Sequence, residues 1–119
     1  MNISNITQET ITERISELFK ILGHPARLDI LLEIGRREAC VCHLEAMLDQ
    51  RQAYISQQLM VLRDAGLLST RQEGRYVFYN LRDPETLTLI HKARKMLGLP
   101  EAPERTATSD CPCPKCRST

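Results

Sequence analysis

The chain has 119 residues, a formal net charge of +1 and 42% hydrophobic residues, which together predict one compact globular domain. This charge balance is not the strongly basic one expected of a nucleic-acid binder, although four arginines fall between residues 51 and 75. Residues 1–16 lack the basic flank and apolar core of an export signal, and no apolar run is long enough to span a membrane. We therefore expect a cytoplasmic protein without a membrane partner, whose five reduced cysteines form no closed disulfide framework.

Two amphipathic helices are predicted in the first third of the chain. Thr10 and Glu13 form a capping-box pattern at the start of the first helix, and Gly23 ends it. Pro25 suits the first turn of the second helix, which we expect to end near Gly35. The apolar residues at helical spacing are Ile11, Ile15, Leu18, Phe19 and Leu22 in the first helix, and Leu28, Leu31 and Leu32 in the second.

A third and a fourth helix follow, separated by a tight turn at residues 49–51. Residues 36–39 are expected to connect the second helix to the third. The fourth helix is predicted over residues 52–65, and Gly66 is placed to adopt the left-handed conformation that ends it. The inward-facing residues are predicted to be Val41, Leu44 and Leu48 in the third helix, and Ile55, Leu59 and Leu62 in the fourth.

The sequence pattern changes from helical to alternating after residue 66. Residues 67–71 and 75–81 are predicted to form the two strands of a β-hairpin around residues 72–74. Asp83 with the proline after it predicts the start of a last helix, which ends at Gly98. The apolar surface of this helix is too wide for one small core, so part of it is expected to pack on another subunit.

These elements predict a mainly α fold with a β-hairpin wing, in the order α-α-α-α-β-β-α, which is a winged helix-turn-helix. Residues 1–99 are expected to form a DNA-binding and dimerisation domain that works as a homodimer. Residues 100–119 are rich in Pro, Ser, Thr, Cys and charge, and they predict a flexible Cys-rich tail. The alternative interpretation of the same pattern is a polar solvated helix beside a surface hairpin.

The polar face of the fourth helix predicts contact with double-stranded DNA. Glutamine amides can hydrogen-bond adenine in the major groove, and residues near the start of a recognition helix enter the groove deepest. Arginines that flank the hairpin tip can reach a minor groove or a phosphate. The candidate DNA-binding residues are Arg51, Gln52, Tyr54, Ser56, Gln57, Gln58, Arg71 and Arg75.

Three segments of the chain resemble the ArsR/SmtB family of bacterial metal-sensing repressors. Residues 22–31 (LGHPARLDIL) are similar to the family's opening signature, and residues 54–68 (YISQQLMVLRDAGLL) to its recognition helix. Residues 73–79 (EGRYVFY) are similar to its wing. The resemblance implies a homodimer that binds operator DNA and releases it when an inducer binds. The sequence departs from the family at Arg51, where a capping Ser or Thr is common.

Residues 38–42 (EACVC) resemble the family's Cys-Val-Cys sensor motif, which implies that Cys40 and Cys42 are metal ligands. On a helix, residues i and i+2 point about 200° apart. Both thiolates are therefore expected to meet one ion only if the helix start is distorted, and that distortion would disturb DNA binding. The alternative is that both are small buried hydrophobic residues.

Two thiolates are too few for an arsenite-like site with three sulfurs. Arsenic-responsive relatives commonly carry a third cysteine three residues after the pair, where this chain has Glu45. His43 is close in sequence, but we expect it to be an ordinary surface residue. The last helix also lacks the Asp and His pairs of zinc-sensing relatives, with a lone histidine at His91. The tail is expected to supply the missing ligands, which are Cys111, Cys113 and Cys116.

Thiolate ligands select soft ions, which include As(III), Sb(III), Cd(II) and Pb(II). The resemblance of the pair to the family's arsenic sensor, together with a three-sulfur set that is easily completed, implies As(III) as the inducer, with the other ions as alternatives. The tail cysteines could instead form a separate site, or the thiols could respond to oxidation as a redox-regulated repressor. Residues 113–116 have the C-x-x-C spacing of redox enzymes, but no βαβ pattern surrounds them. We therefore expect no enzyme, no permanent cofactor and no small-molecule organic substrate.

Overall fold

The computed structural model describes the backbone of residues 8–101 and the side chains of residues 10–101. Five helices and a three-stranded antiparallel sheet make up this part of the chain, and the winged helix-turn-helix prediction is confirmed. None of these helices is both long and apolar enough to cross a membrane. In chain order the elements are α1 (Gln8–Leu22), α2 (Pro25–Arg36), β1 (Ala39–Cys40), α3 (Val41–Leu48), α4 (Gln52–Asp64), β2 (Leu68–Glu73), β3 (Tyr76–Leu81) and α5 (Glu85–Met96).

The starts of three helices can be compared with the N-terminal residues predicted for them from the sequence. Helix α1 is already formed at Gln8, so the predicted capping role of Thr10 is wrong. Pro25 lies in the first turn of α2, as predicted, because its missing N–H has no helical partner there. At α5 the Asp83 carboxylate accepts a hydrogen bond from the Glu85 N–H at 2.9 Å, which satisfies one of the free donors of the first turn.

The core lies where α2, α3 and α4 pack against the sheet. The residues predicted to face inward from α4 are all buried. Helix α5 approaches α2 closely at Gly35, where a Cβ would lie 2.5 Å from Cδ1 of Leu87. The buried apolar side chains are Leu22, Ile30, Leu31, Ile34, Ala39, Leu44, Ile55, Leu59, Leu62 and Leu68.

The wing is a two-stranded hairpin that is longer than predicted. Strand β2 continues to Glu73, which pairs with Tyr76 on β3, so the turn contains only Gly74 and Arg75. Gly74 has φ of 60°, a conformation that glycine adopts without a steric penalty. Arg75 therefore lies in the tip itself, while Arg71 lies inside β2 and not beside the tip as expected.

A third strand, β1, was missed by the sequence prediction. Residues 36–39 were expected to be a simple connection, but Ala39 pairs with Tyr79 and Cys40 pairs with Phe78. The sheet order is β1-β3-β2, so β1 joins the inner edge of the wing to the start of α3. The segment that carries the first thiol is therefore part of the wing sheet.

Helices α1 and α5 leave apolar side chains exposed on the surface. Phe19 on α1 is 54% exposed, and Leu97, directly after α5, is 72% exposed. Between the two helices lies a groove of about 350 Å³, with apolar walls from α1, α2 and α5. This exposure agrees with the expectation that α5 has more apolar surface than the core can bury.

Candidate functional site

Helix α4 presents an exposed face opposite its buried residues. Arg51, Gln52 and Gln57 are exposed on it, and Tyr54 and Ser56 are half-buried. The Arg51 side chain forms no capping hydrogen bond at the start of the helix. These five predicted DNA-binding residues are therefore accessible in whole or in part.

Two apolar residues of the same face were not among the predicted contacts. Ala53 is exposed, and Met60 is 55% exposed, whereas Ile55, Leu59 and Leu62 of the same helix are buried. Both lie on the Gln57 side of the helix, and apolar side chains can contact the methyl group of thymine in the major groove. The 3.6-residue period that placed Ile55 and Leu59 inside could have placed these two outside.

Gln58 does not belong to the exposed face. Its side chain is 6% exposed, and its Oε1 accepts a hydrogen bond from Nε of Arg27 at 2.8 Å. Arg27 also donates from Nη1 to the Ile21 carbonyl at 3.3 Å, which links the end of α1 to the recognition helix through α2. The prediction that Gln58 points outward beside Gln57 is therefore wrong, because the inner face of α4 includes this polar residue.

The two arginines of the wing have different surroundings. Arg75 in the turn packs over the ring of Tyr76 at 5.4 Å and remains exposed. Arg71 donates from Nε to Oε2 of Glu38 at 3.0 Å and from Nη2 to the other oxygen of the same carboxylate. The hydrogen bonds from Arg71 to Glu38 raise the pKa of its guanidinium further above its ordinary value. Arg75 also donates from Nη2 to the Tyr76 hydroxyl at 3.3 Å, so it is held by its neighbour at the exposed tip, whereas Arg71 is paired with a carboxylate outside the hairpin.

The two thiols of the Cys-Val-Cys motif meet in the structure. Cys40 is buried and extended, with φ of −92° and ψ of 169°, and it is the N-cap residue of α3. Its Sγ lies 2.7 Å from Sγ of Cys42 in the first turn, and it accepts a hydrogen bond from the backbone N–H of His43 at 3.4 Å.

The convergence of the two sulfurs corrects the expected geometry. Cys40 was expected in a helix, where the pair would point apart, but only Cys42 has helical backbone. A strand-to-helix junction turns residues i and i+2 toward each other, so no helix distortion is needed to bring both sulfurs to one ion. Cys42 is half-buried, which leaves one side of the pair accessible.

His43 is not the surface residue that was expected. It is 3% exposed, with Nε2 3.3 Å from Oε1 of Glu33 and Nδ1 3.5 Å from Nη2 of Arg37. Burial, together with the positive charge of Arg37, lowers the pKa of His43. The neutral ring with its proton on Nε2 satisfies both neighbours, because it donates to the carboxylate and accepts from the guanidinium. Both ring nitrogens are therefore engaged away from the thiols.

A third ligand does not lie beside the two sulfurs in residues 8–101. No group of three or more His, Cys, Asp or Glu side chains in this part of the chain is arranged to hold a metal ion. The predicted ligands Cys111, Cys113 and Cys116 lie outside the described residues. The described part therefore offers two thiol ligands. An ion that needs three sulfurs requires one more ligand from elsewhere.

Comparisons with known proteins agree with this fold. A family model described as "Bacterial regulatory protein, arsR family" matches residues 24–70. The chain is 38% identical over 104 residues to the biofilm growth-associated repressor of Agrobacterium fabrum. The aligned region covers 85% of this chain and 89% of that protein. It is 48% identical over 68 residues to the arsenical resistance operon repressor of Escherichia coli. That aligned region covers 55% of this chain and 56% of the repressor.

Two solved structures are similar in both sequence and shape. Rv0081 of Mycobacterium tuberculosis has 35% identity and a TM-score of 0.69, over 74% of this chain and 89% of that one. Reduced HlyU of Vibrio cholerae has 32% identity and a TM-score of 0.67, over 74% of this chain and 93% of that one. The exposed recognition helix, the wing and these likenesses together show that the chain belongs to the ArsR/SmtB family of winged helix-turn-helix transcriptional regulators, which bind DNA and are not enzymes.

Proposed function

We propose that the protein is a homodimeric repressor that leaves its operator when a thiophilic ion, As(III) foremost, binds Cys40 and Cys42. The observation that carries the proposal is the convergence of the two sulfurs at the junction of β1 and α3. This junction lies directly before the helix-turn-helix and is paired with the wing. An ion bound there acts on both DNA-contacting elements at once.

The donor set favours soft ions. Thiolates bind As(III), Sb(III), Cd(II) and Pb(II) in preference to harder ions such as Mg²⁺ or Ca²⁺. Carboxylates and His43 do not complete the pair within the described residues, so the additional sulfur has to come from elsewhere. In this proposal one or more of Cys111, Cys113 and Cys116 supply it, from the same subunit or from its partner.

Chain length supports closure of the site by the tail. Glu101 and Arg36 line the same cavity of about 420 Å³, and Arg36 precedes Cys40 by four residues, which span at most about 14 Å. Cys111 follows Glu101 by ten residues, whose extended length is about 33–36 Å. A tail that leaves from this cavity is therefore long enough to bring a sulfur to Cys40.

The DNA-binding part of the proposal uses the exposed face of α4 and the tip of the wing. Gln57 is exposed at the middle of this face, where its amide can pair with adenine, and Arg75 at the tip can contact phosphate or the minor groove. The exposed apolar residues of α1 and α5 are the surface on which two copies would pair. A dimer would place one recognition helix in each of two half-sites, about 34–36 Å apart.

The test is an operator-release titration of the reduced full-length protein with As(III), Sb(III), Cd(II), Pb(II) and Zn(II). We expect release by thiophilic ions, most efficiently by arsenite, and a sulfur coordination number of three for bound arsenic by X-ray absorption. Deletion of residues 110–119 should lower that number and weaken the response. A response that is fully retained after the deletion would exclude the tail as a ligand.

Oxidation is a second candidate signal, favoured by the direct contact of the two sulfurs, because a disulfide forms between thiols that already meet. A peroxide would oxidise the two thiols to one disulfide and would itself be reduced to water, with both thiol protons passing to its oxygens. Mass spectrometry would then show a loss of two hydrogens within the peptide that carries Cys40 and Cys42. Release of DNA by peroxide but by none of the ions would select this alternative.

A further inference from the structure

Glu38 is held where the segment before the thiols meets both strands of the wing. Its carboxylate is only 11% exposed, although it lies in the connection between α2 and β1. Arg71 on β2 donates to both of its oxygens, and Asn80 on β3 donates from Nδ2 to Oε2 at 2.6 Å. One carboxylate therefore fastens the thiol segment to β2 and β3, in an arrangement that we call the Glu38 clamp (Glu38, Arg71 and Asn80).

The clamp also reaches the residue that pairs with the first thiol. The Arg71 guanidinium lies 4.7 Å from the centre of the Phe78 ring, and Phe78 is fully buried. Phe78 is the β3 partner of Cys40 in the sheet. The guanidinium is thus fixed between a carboxylate on one edge and an aromatic face, which is a geometry that arginine forms and lysine does not.

Strand β1 is too short to be held firmly to β3 by its main chain alone. Strand β1 has only two residues, so few main-chain hydrogen bonds hold it to β3. Paired, charge-assisted hydrogen bonds are stronger and more directional than neutral ones, and here they lie two residues before Cys40. Without them, β1 could shift when the sulfurs bind an ion while the wing stayed in place.

We infer that Glu38 is a positioning residue, which transmits the state of the thiol site to the wing through Arg71 and Asn80. In this inference Arg71 serves the clamp. Its sequence position had instead predicted a contact with DNA. The inference rests on the proposed function, because it names the route from Cys40 to the DNA-binding surface. It concerns the coupling between inducer and operator and not the affinity for either one alone.

The experiment compares Glu38→Gln with the matched control Glu73→Gln. Both variants remove one negative charge near Arg71, but Glu73 is 53% exposed, 3.5 Å from Nη1, and outside the clamp. Operator affinity of the full-length protein is measured by fluorescence anisotropy with and without arsenite, and the ratio of the two dissociation constants reports coupling. Any uniform gain in DNA affinity from the changed charge cancels in this ratio.

We expect a ratio within the usual range of about 5- to 150-fold for the unmodified protein and for Glu73→Gln. The ratio for Glu38→Gln should fall to within about twofold of one, with arsenite binding to the free protein retained. Arg71→Lys keeps the charge but loses the paired hydrogen bonds, so it should lose coupling in the same way. If circular dichroism shows that Glu38→Gln does not fold, the ratio measured for Arg71→Lys tests the inference in its place.

The two possible failures are distinguishable. If neither arsenite nor another thiophilic ion nor peroxide releases the unmodified protein, the proposed function fails. If the unmodified protein responds, and both Glu38→Gln and Arg71→Lys respond to the same extent, the clamp is not the route and the inference is overturned. A loss of operator affinity in Arg71→Lys with an unchanged ratio would make Arg71 a DNA contact instead.

Discussion

Two neighbouring glutamines on α4 have opposite roles in the structure. Gln57 is exposed, whereas Gln58 is buried and accepts a hydrogen bond from Arg27. Both were predicted to lie on or near the outer face, which the inward residues of α4 leave free. Gln58, however, follows Ile55 by three residues and precedes Leu62 by four, so its helical position is an inner one. The sequence period could have shown this, while the partner Arg27, which is 31 residues away, could not be predicted locally.

Alanine substitutions at the two glutamines should separate DNA recognition from stability. Gln57→Ala should weaken operator binding by about 1–3 kcal/mol through the loss of base contacts, with little effect on unfolding. Gln58→Ala should lower the free energy of unfolding by about 1–3 kcal/mol, because it leaves the Arg27 guanidinium without its buried partner. Urea denaturation and operator titration measure the two effects. Equal behaviour of the two variants in both assays would contradict the assignment.

At the scale of elements, the helices and the hairpin could be predicted because their periods are local properties of the sequence. Strand β1 could not be predicted, since two residues carry no period and the strand exists only through its pairing with β3. This one strand changes the thiol site, because it makes Cys40 an extended N-cap residue. The convergence of Cys40 and Cys42 therefore depends on a contact that is distant in sequence.

Close packing of α2 against α5 gives a prediction at this scale. Gly35→Ala should destabilise the fold by about 1–3 kcal/mol, since the new Cβ would overlap the side chain of Leu87. The matched control is the double variant Gly35→Ala with Leu87→Ala, in which the overlap is removed. Thermal denaturation of both single variants and the double variant should give a strongly non-additive cycle. Additive effects would show that the helices do not meet at Gly35.

At the scale of the whole molecule, the proposed DNA contacts and most of the exposed apolar side chains lie on different elements. The recognition helix and wing lie on elements α4, β2 and β3. Most of the large exposed apolar residues lie in or next to α1 and α5, whereas Met60 lies on α4 and Val77 on β3. Contiguous exposed apolar surface of this kind marks a site of association in soluble proteins. The proposed homodimer would bury this surface, which includes none of the predicted DNA contacts on α4.

Charge substitution on this apolar surface should separate the subunits. Phe19→Glu should give a monomer in sedimentation velocity and should weaken operator binding, because one protomer reaches only one half-site. Met60→Glu is the matched control for the sedimentation measurement alone, since Met60 is similarly exposed at 55% but lies on the DNA-facing side of α4. This control should remain dimeric. A dimer that persists in Phe19→Glu would move the interface away from the groove between α1 and α5.

The central claim is that the thiol pair controls operator binding, and Cys40→Ser tests it most directly. Serine is a favourable N-cap residue, so this variant should keep the hydrogen bond from the His43 N–H and the fold while it loses the sulfur. Operator binding is measured by anisotropy as arsenite is added to the reduced full-length protein and to the variant. The unmodified protein should be released while Cys40→Ser stays bound, with equal affinities before arsenite is added. Release of Cys40→Ser at the same arsenite concentration as the unmodified protein would contradict the central claim.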